Sequence, residues 1–231
     1  IALGHDCGHG PGGHASEDAL SPYLVEGFDH AVWGADVVLS PLNLCAETLD
    51  GIRNHSWTRP VPATPEGLVV SWADRCAYTA HDFEDACRIG VVSPSMLPDL
   101  VVRRLGRSRT QQLGRFIHGL IDVTTTTGTV GMPEDLAEAL AEFRAFNYDR
   151  VYMRTESLAQ AAKVIDLLRA LVDHFASRPQ RLPGDGAGLG PGSEPAVRAA
   201  VTYVAGMTDR FACQSAVDEL GWTAERLPAG V

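Results

Sequence analysis

Residues 157–175 read SLAQAAKVIDLLRALVDHF, and their apolar side chains recur every three or four positions. This spacing places those side chains on one face of an α-helix. Shorter stretches with the same period occur at 32–52, 113–121 and 133–146. Alternation with period two is rare, and only the threonine-rich residues 123–130 have a composition that favours a strand. The sequence therefore predicts an all-α fold.

The composition is that of a globular protein. The chain has 231 residues, of which 45% are hydrophobic and 21% charged. Its 19 Lys and Arg residues against 29 Asp and Glu residues give a net charge of −10, which argues against broad electrostatic binding to nucleic acid or to an anionic membrane. No apolar run approaches the roughly 18 residues that span a bilayer. We expect a soluble, cytoplasmic protein without nucleic-acid or membrane partners.

One segment divides the chain by composition. Residues 179–195, PQRLPGDGAGLGPGSEP, are rich in glycine and proline and contain little that could be buried. This composition predicts a flexible surface linker between a core at 1–178 and a C-terminal helix within 196–231 that packs back on the core. The chain begins at Ile1 inside an apolar segment that leads directly into a group of histidines. We therefore expect a fragment whose natural N-terminus lies upstream.

Histidines are concentrated near the start of the chain. Residues 5–18 read HDCGHGPGGHASED, and His30 follows. The pattern predicts an apolar helix that ends at His5 and Asp6, a tight glycine-rich loop, and a second helix that starts at Glu17. Imidazole and carboxylate are suitable ligands for a borderline divalent metal ion. An isolated His-Asp pair is more often a surface ion pair, but the neighbouring histidines favour a metal site. The five cysteines form no C-x-x-C pair.

A second polar group follows a predicted helix at 68–85. Trp72 and Phe83 lie on its apolar stripe, and an opposite polar stripe contains Asp74, Tyr78, His81, Asp82 and Asp85. Such a stripe is most often a solvated face. Asp74, however, has apolar sequence neighbours, where a lone carboxylate is costly unless it is paired or bound to metal. Asp74 is therefore a candidate third ligand.

Together these residues resemble the HD-domain metallophosphohydrolases, and among them the deoxynucleoside triphosphate triphosphohydrolases (dGTPase-like proteins). The resemblance covers most of residues 1–90 and returns near 203–212. It depends on the ordered segments His5-Asp6-x-Gly-His9-Gly-Pro-x-Gly-His14-x-x-Glu17, Glu26-Gly-Phe28-Asp29-His30, Leu42-Asn-Leu-x-x-Glu-Thr-Leu49-x-Gly51-Ile52, Ala73-Asp74-Arg75-x-Ala-Tyr78-x-x-His81-Asp82-x-Glu-Asp85 and Tyr203-Val-Ala-Gly206-Met207-Thr208-Asp209-Arg210.

The resemblance implies an HD-domain helical bundle that binds one divalent metal ion. Its ligands would be His5, Asp6 and Asp74, together with an upstream histidine that this sequence lacks. The metal could be Mn, Fe, Mg, Co, Ni or Zn. The family pattern usually has a bulky residue where this sequence has Gly12, which changes the pocket shape that the resemblance implies.

The resemblance also implies roles for the residues around the metal. Proton transfer would involve His9, His14, Glu17 and His30. Arg75 would contact phosphate, and Tyr78 and Asp82 would contact the deoxyribose. The implied reaction is attack on the α-phosphorus of a deoxynucleoside triphosphate, dGTP for example, which yields a deoxynucleoside and tripolyphosphate. A phosphohydrolase acting on nucleoside monophosphates or other phosphoesters, and a non-catalytic nucleotide-sensing module, are the alternatives. Relatives commonly assemble, so a homo-oligomer is possible.

Several other residues have no assigned role in this pattern. His55 follows a predicted helix end, which favours a C-terminal helix cation or a surface residue. Asp209 and Arg210 could form a buried pair that supports the core, or they could line the site. The basic run from Arg103 to Arg115 favours a solvated helix start over an inter-subunit or allosteric nucleotide site.

Overall fold

The computed structural model describes residues 1–229. Within that range the chain forms ten α-helices and no strand, so the predicted all-α fold is confirmed. None of the helices in the described range combines the length and hydrophobicity that a transmembrane span requires. In chain order the helices are α1 His14–Leu20, α2 His30–Trp33, α3 Ala46–Arg53, α4 Pro65–Arg88, α5 Asp99–Leu105, α6 Arg109–Thr127, α7 Glu134–Asn147, α8 Thr155–Ser177, α9 Glu194–Ala205 and α10 Asp209–Leu220.

The helices belong to two compact units. The first unit contains Ile1–Ala2 and Cys45–Leu158, and the second contains Leu3–Leu44 and the described residues from Ala159 onward. Units defined by spatial contact and domains defined by composition are different divisions of the chain. The compositional boundaries, with a core at 1–178, a linker at 179–195 and a C-terminal helix in 196–231, stay a prediction.

The second unit is built around α8. Its side chains Leu168, Leu171 and Val172 are fully buried, together with Val201 and Val204 of α9. Burying each of these aliphatic side chains stabilises the fold by about 1.5–3 kcal/mol. The same core contains residues of the histidine-rich segment: Ala19, Leu20, Phe28 and Trp33. This packing anchors α1 and α2, which carry His14 and His30.

The first unit has a separate core between α4, α5, α6 and α7. Fully buried side chains from three of these helices meet there, namely Val101, Phe116 and Phe143. The predicted helix at 68–85 is present within α4. Thr64 caps the start of α4, because its side-chain oxygen accepts a hydrogen bond from the amide of Gly67 at 3.1 Å. Phe83 of the predicted apolar stripe lies in this core, and so does Cys76 of the same helix.

The threonine-rich residues 123–130 do not form a strand in the folded chain. Through Thr127 they continue α6, which ends at Gly128 with a left-handed conformation. The hydroxyls of Thr125 and Thr127 each donate a 2.8 Å hydrogen bond to the carbonyl four residues earlier. The helix is also fixed at its start by a capping box between Ser108 and Gln111. The caps at both ends of α6 outweigh the weak β-propensity of threonine.

The glycine- and proline-rich segment is partly packed. Pro179 and Leu182 are buried, and Leu182 belongs to the core of the second unit, whereas most of the other described residues of the segment are exposed. The helical residues after it form α9 and α10, which are separated near Gly206. Thr208 caps α10 by accepting a hydrogen bond from the amide of Phe211 at 3.2 Å.

Candidate functional site

The first thirteen residues form turns that lead into α1. His5 and Asp6 lie in these turns, so the predicted apolar helix that ends at this pair is wrong. The amide of His9 donates a hydrogen bond to the carbonyl of Asp6, three residues earlier, at 3.0 Å. This bond closes a turn, whereas an α-helix requires a bond to the carbonyl four residues earlier. Gly8 is required here, since a Cβ atom would overlap the carbonyl oxygen of His30. This close approach brings the turn against the start of α2.

Three imidazole rings meet in the second unit. The rings of His9 and His30 are stacked with centroids 3.8 Å apart and an angle of 8° between their planes. The ring of His14 meets both edge-on, at 5.0 Å from His9 and 5.5 Å from His30. His30 is buried, whereas His14 is exposed. Three of the four residues predicted for proton transfer are therefore in contact.

The fourth predicted residue, Glu17, joins this group through its carboxylate. Its Oε1 accepts hydrogen bonds from the backbone amide of His30 at 2.9 Å and from ring Nδ1 of His30 at 2.7 Å. Its Oε2 lies 3.4 Å from Nδ1 of His14. Glu17 lies in the first turn of α1, which begins at His14 and not at Glu17 as predicted. With Nδ1 of His30 donating to Glu17, its Nε2 is the nitrogen left for other partners.

Asp6 lies on the opposite side of the His30 ring from Glu17. Asp6 Oδ1 is 3.6 Å from Nε2 of His9 and 3.8 Å from Nε2 of His30. Asp6 Oδ2 is 3.3 Å from Nε2 of His5. The structure thus brings the two predicted ligands of the second unit next to the imidazole cluster. We call His5, Asp6, His9, His14, Glu17 and His30 the histidine cluster.

The surroundings of the histidine cluster shift two pKa values. Burial, together with the nearby His30, lowers the pKa of His9 to about 4. His9 is therefore a neutral imidazole at pH 7. Burial opposes ionisation of Glu17, but hydrogen bonds from His14 and His30 outweigh it and hold the pKa of this carboxyl well below its usual range.

The donor atoms of the cluster fit a divalent metal ion. Imidazole and carboxylate are the ligand types that borderline divalent ions prefer. Nδ1 of His9 is buried and has no hydrogen-bond partner among the described residues, which suits an atom that meets a ligand from outside the chain. One ligand atom each of His9, His14 and His30 also lie within 4.8 Å of one another, so these three residues could hold an ion as well.

The remaining predicted site residues lie on α4 in the first unit. Asp74 is half-buried. Asp82 accepts a hydrogen bond from the hydroxyl of Tyr152, and the Tyr78 hydroxyl accepts one from Nε of Arg144 at 3.1 Å. The guanidinium of Arg75 lies over Trp57, with its Cζ 4.3 Å from the ring centroid. Tyr152 and Arg144 were not identified from the sequence, because neither belongs to a motif and both lie more than sixty residues from α4 partners.

The residues left without an assigned role, His55, Asp209 and Arg210, have different surroundings in the structure. His55 is buried, with 1% of its surface exposed, and its Nδ1 lies 2.7 Å from the carbonyl of Ile52 near the end of α3. It is therefore not a surface residue. Asp209 and Arg210 are both exposed and do not form a buried pair. Asp209 instead accepts a 2.6 Å hydrogen bond from the amide of Gly12, which ties α10 to the glycine-rich turn.

The basic run from Arg103 to Arg115 is largely engaged in local contacts. Arg104 pairs with Asp135 at 3.2 Å, and Arg109 pairs with Glu84 at 2.6 Å. Arg107 donates to the carbonyl of Pro94 at 2.5 Å. These contacts agree with a helix start whose arginines hold α5 and α6 to their neighbours.

Comparison with known proteins identifies the family. Residues 1–79 match the HD domain, and residues 130–217 match a phosphohydrolase-associated domain. The chain is 34% identical over 92% of its length to a deoxyguanosinetriphosphate triphosphohydrolase-like protein of Caldanaerobacter subterraneus, of which it covers 64%. Proteins of the same description from Clostridium perfringens and Desulfatibacillum aliphaticivorans are each 30% identical, over 91% and 92% of this chain and 66% and 67% of their own.

The chain thus spans about two thirds of the length of these curated relatives. The identity extends over nearly the whole chain and includes both matched domains, and the histidine cluster lies within the first of them. The chain belongs to the family of HD-domain deoxyguanosinetriphosphate triphosphohydrolase-like proteins.

Proposed function

We propose that the protein is a metal-dependent hydrolase that splits deoxynucleoside triphosphates, dGTP among them, into deoxynucleoside and tripolyphosphate. The observation that carries the proposal is the packing of His9, His14 and His30 against one another, between the carboxylates of Asp6 and Glu17. The names of the relatives, deoxyguanosinetriphosphate triphosphohydrolase-like proteins, support the choice of substrate.

His5 and Asp6 would hold the divalent ion, and Asp74 stays the predicted third protein ligand. When bound, such an ion lowers the pKa of a water molecule and polarises a phosphoryl oxygen. The adjacent imidazole and carboxylate of His5 and Asp6 suit it, with Nε2 and Oδ2 3.3 Å apart. The expected metal is Mn, Fe, Mg, Co, Ni or Zn.

Side chains of the histidine cluster would carry out proton transfer in this reaction. Glu17 fixes His30 through its amide and its Nδ1, which keeps Nε2 of His30 directed toward Asp6. His30 in turn supports the stacked ring of His9. Of the four residues predicted for proton transfer, His14 is the exposed one, so it is the residue best placed to pass a proton to the leaving 5′-oxygen of the nucleoside.

Residues of α4 would bind the remainder of the substrate. In this proposal Arg75 contacts phosphate, because a guanidinium offers several N–H donors to phosphate oxygens. Tyr78 and Asp82 would contact the deoxyribose hydroxyl. A homo-oligomer, and the absence of nucleic-acid partners, likewise stay predictions.

The experiment is incubation of the full natural chain with each of the four common dNTPs and Mn²⁺, with product analysis by ion chromatography. Equimolar deoxynucleoside and tripolyphosphate from at least one dNTP is the expected result, and EDTA should abolish it. His14→Gln should lower kcat by about a hundredfold or more. The matched control is His118→Gln, since His118 is exposed on α6 in the other unit.

Three results would contradict the proposal. If none of the dNTPs yields tripolyphosphate, the proposed activity is wrong. Orthophosphate release from nucleoside monophosphates, with triphosphates untouched, would favour a phosphomonoesterase. Nucleotide binding without turnover by the metal-loaded protein would favour a sensing module.

A further inference from the structure

A four-residue turn separates two members of the histidine cluster. Residues 10–13 read GPGG and lie between His9 and His14. Glycine lets the backbone take many conformations, so a turn of this composition does not hold its own shape. The rings of His9 and His14 nevertheless lie edge-on with their centroids 5.0 Å apart. Contacts with other residues must therefore fix the relative position of the two imidazoles.

The two ends of this turn are held by a residue close in sequence. The hydroxyl of Ser16 accepts a hydrogen bond from the amide of Gly10 at 3.1 Å and donates one to the carbonyl of Gly13 at 2.7 Å. The amide of Gly13 also donates to the carbonyl of Gly10 at 3.1 Å. Ser16 is a fully buried residue of α1, so these bonds attach both ends of the turn to that helix.

The middle of the turn is held by a residue 197 positions away. The amide of Gly12 donates a 2.6 Å hydrogen bond to Oδ1 of Asp209, in the first turn of α10. Among the described residues, this is the one hydrogen bond that joins residues 10–13 to a part of the chain beyond α1. Gly12 has no side chain that could be buried as an anchor, so the carboxylate of Asp209 anchors the turn through its backbone. A charged acceptor strengthens such a bond.

Asp209 is itself held in place by α10. Thr208 caps this helix, and Ala212 and Ala216 are fully buried in the core of the second unit. Asp209 is exposed and does not belong to that core. Its replacement therefore removes the contact with Gly12 and leaves the packing of α10 intact.

We propose that Asp209 is a positioning residue for the histidine cluster, which sets the distance between the rings of His9 and His14 by holding the Gly12 amide. This inference rests on the proposed function for the role of His14 in proton transfer. It goes beyond that function by assigning a task to a residue of α10 that acts through the backbone of the turn. A displacement of about 1 Å at a catalytic site can lower a rate by about a hundredfold, so such an anchor affects kcat.

The first test is steady-state dNTP hydrolysis by variants of the metal-loaded full natural chain. Asp209→Ala removes the acceptor and should lower kcat by about tenfold while KM changes by less than about twofold, because proton transfer is affected and substrate binding is not. Asp209→Asn keeps an acceptor oxygen at the same place and should restore kcat to within about threefold of the unmodified protein. The matched control is Asp218→Ala, which should leave both constants unchanged. Asp218 is an exposed carboxylate of the same helix, and its 3.0 Å hydrogen bond from Gln214 stays within α10.

The second test does not require turnover. In protein isotopically labelled at histidine Cε1, the NMR signal of His14 can be assigned with His14→Gln. This signal carries a ring-current shift, because the His14 ring meets two other imidazoles edge-on. At constant pH, Asp209→Ala should move it toward the position of an isolated imidazole, and Asp218→Ala should leave it in place.

The outcomes separate this inference from the proposed function. If Asp209→Ala leaves either kcat or the His14 signal of the active enzyme unchanged, the inference is wrong. It is also wrong if Asp209→Ala impairs kcat and KM equally and Asp209→Asn restores neither. Thermal unfolding checks the fold of each variant. If Asp209→Ala is unstable, Asp209→Glu takes its place, because it keeps the charge but displaces the carboxylate by one methylene group. A His14 signal that depends on Asp209, in a protein that hydrolyses no dNTP, would leave the inference standing and would remove only the hydrolase proposal.

Discussion

Glu17 holds His30 at two points with a single carboxylate oxygen. Oε1 of Glu17 accepts from the amide of His30 at 2.9 Å and from its Nδ1 at 2.7 Å. The hydrogen bond from the His30 amide satisfies the first backbone donor of α2, whose N-cap is Asp29, and the bond from the ring sets the tautomer and the orientation of a buried imidazole. These two bonds join residues that lie thirteen positions apart in the chain.

Replacing Glu17 by glutamine should therefore impair the proposed reaction. Glutamine retains a hydrogen-bond acceptor but loses the negative charge that favours Nδ1–H on His30. We expect kcat for dNTP hydrolysis to fall by about a hundredfold, with a smaller effect on KM. Steady-state kinetics with the preferred dNTP measure this. Glu138→Gln, at an exposed position of α7, is the charge-matched control and should retain activity. An unchanged kcat in Glu17→Gln would show that the carboxylate is structural.

Gly12 should tolerate no side chain. Its φ is +78°, a conformation that L-residues rarely adopt, and a Cβ atom would overlap Cγ1 of Val164 on α8. We expect Gly12→Ala to lower the free energy of unfolding by about 2–4 kcal/mol, as the sum of backbone strain and overpacking. Urea denaturation measures it.

A double-mutant cycle separates the two contributions at Gly12. In a Val164→Ala background the overlap is gone, so Gly12→Ala should cost at least about 1 kcal/mol less there. Gly114→Ala is the control, because a Cβ atom there meets nothing within 4 Å and the residue lies inside α6. That change should stabilise the protein by about 0.5–1 kcal/mol. Equal costs for Gly12→Ala in the two backgrounds would rule out the overlap.

Tyr152 should position Asp82 for the substrate. Its hydroxyl donates to Oδ2 of Asp82, and burial together with this carboxylate raises the pKa of Tyr152, so the hydroxyl stays protonated. Tyr152→Phe removes one hydrogen bond from Asp82. We expect KM for the dNTP to rise by about five- to tenfold while kcat changes less, because the loss affects binding of the sugar. Tyr148→Phe, at an exposed tyrosine of the same segment, should leave KM unchanged.

The five cysteines are free, and their reactivity should follow burial. Cys7 and Cys45 are exposed, whereas Cys76 is buried in the core of the first unit. Burial raises the pKa of Cys76 to about 12, so almost no thiolate is present at pH 8. Titration of the native protein with DTNB at pH 8 should therefore show two fast thiols, and unfolding in guanidinium should release all five. Fast native labelling of Cys76, detected by peptide mapping, would contradict the packing of α4.

The sequence predicted the helices better than the connections between them. α4 and α8 were identifiable because their apolar side chains recur with the helical period over five or more turns. The turns at His5 and Asp6 were not, because a short apolar run next to glycines is compatible with a helix end as well as with turns. The threonine run was misleading since its strand propensity is small beside the helix caps at both ends of α6.

The residues of the candidate site also differ in whether they could be predicted from the sequence. His5, Asp6, His9, His14, Glu17 and His30 could be predicted as one group because they are close in sequence and of metal-binding type. Arg144 and Tyr152 could not, because their partners Tyr78 and Asp82 lie 66 and 70 positions away. No pattern in a single sequence encodes a contact at that separation.

Helix content and the chemical character of the site were thus determined by the sequence itself, because both depend on residue type and on spacing within a few turns. Only the tertiary structure decided which nitrogen of His30 meets Glu17, and which arginines share Trp57. It also decided the division into two cores, with α8 at the centre of one. These features depend on how distant helices pack, and packing is settled by the shape and volume of side chains that come together only in the folded chain.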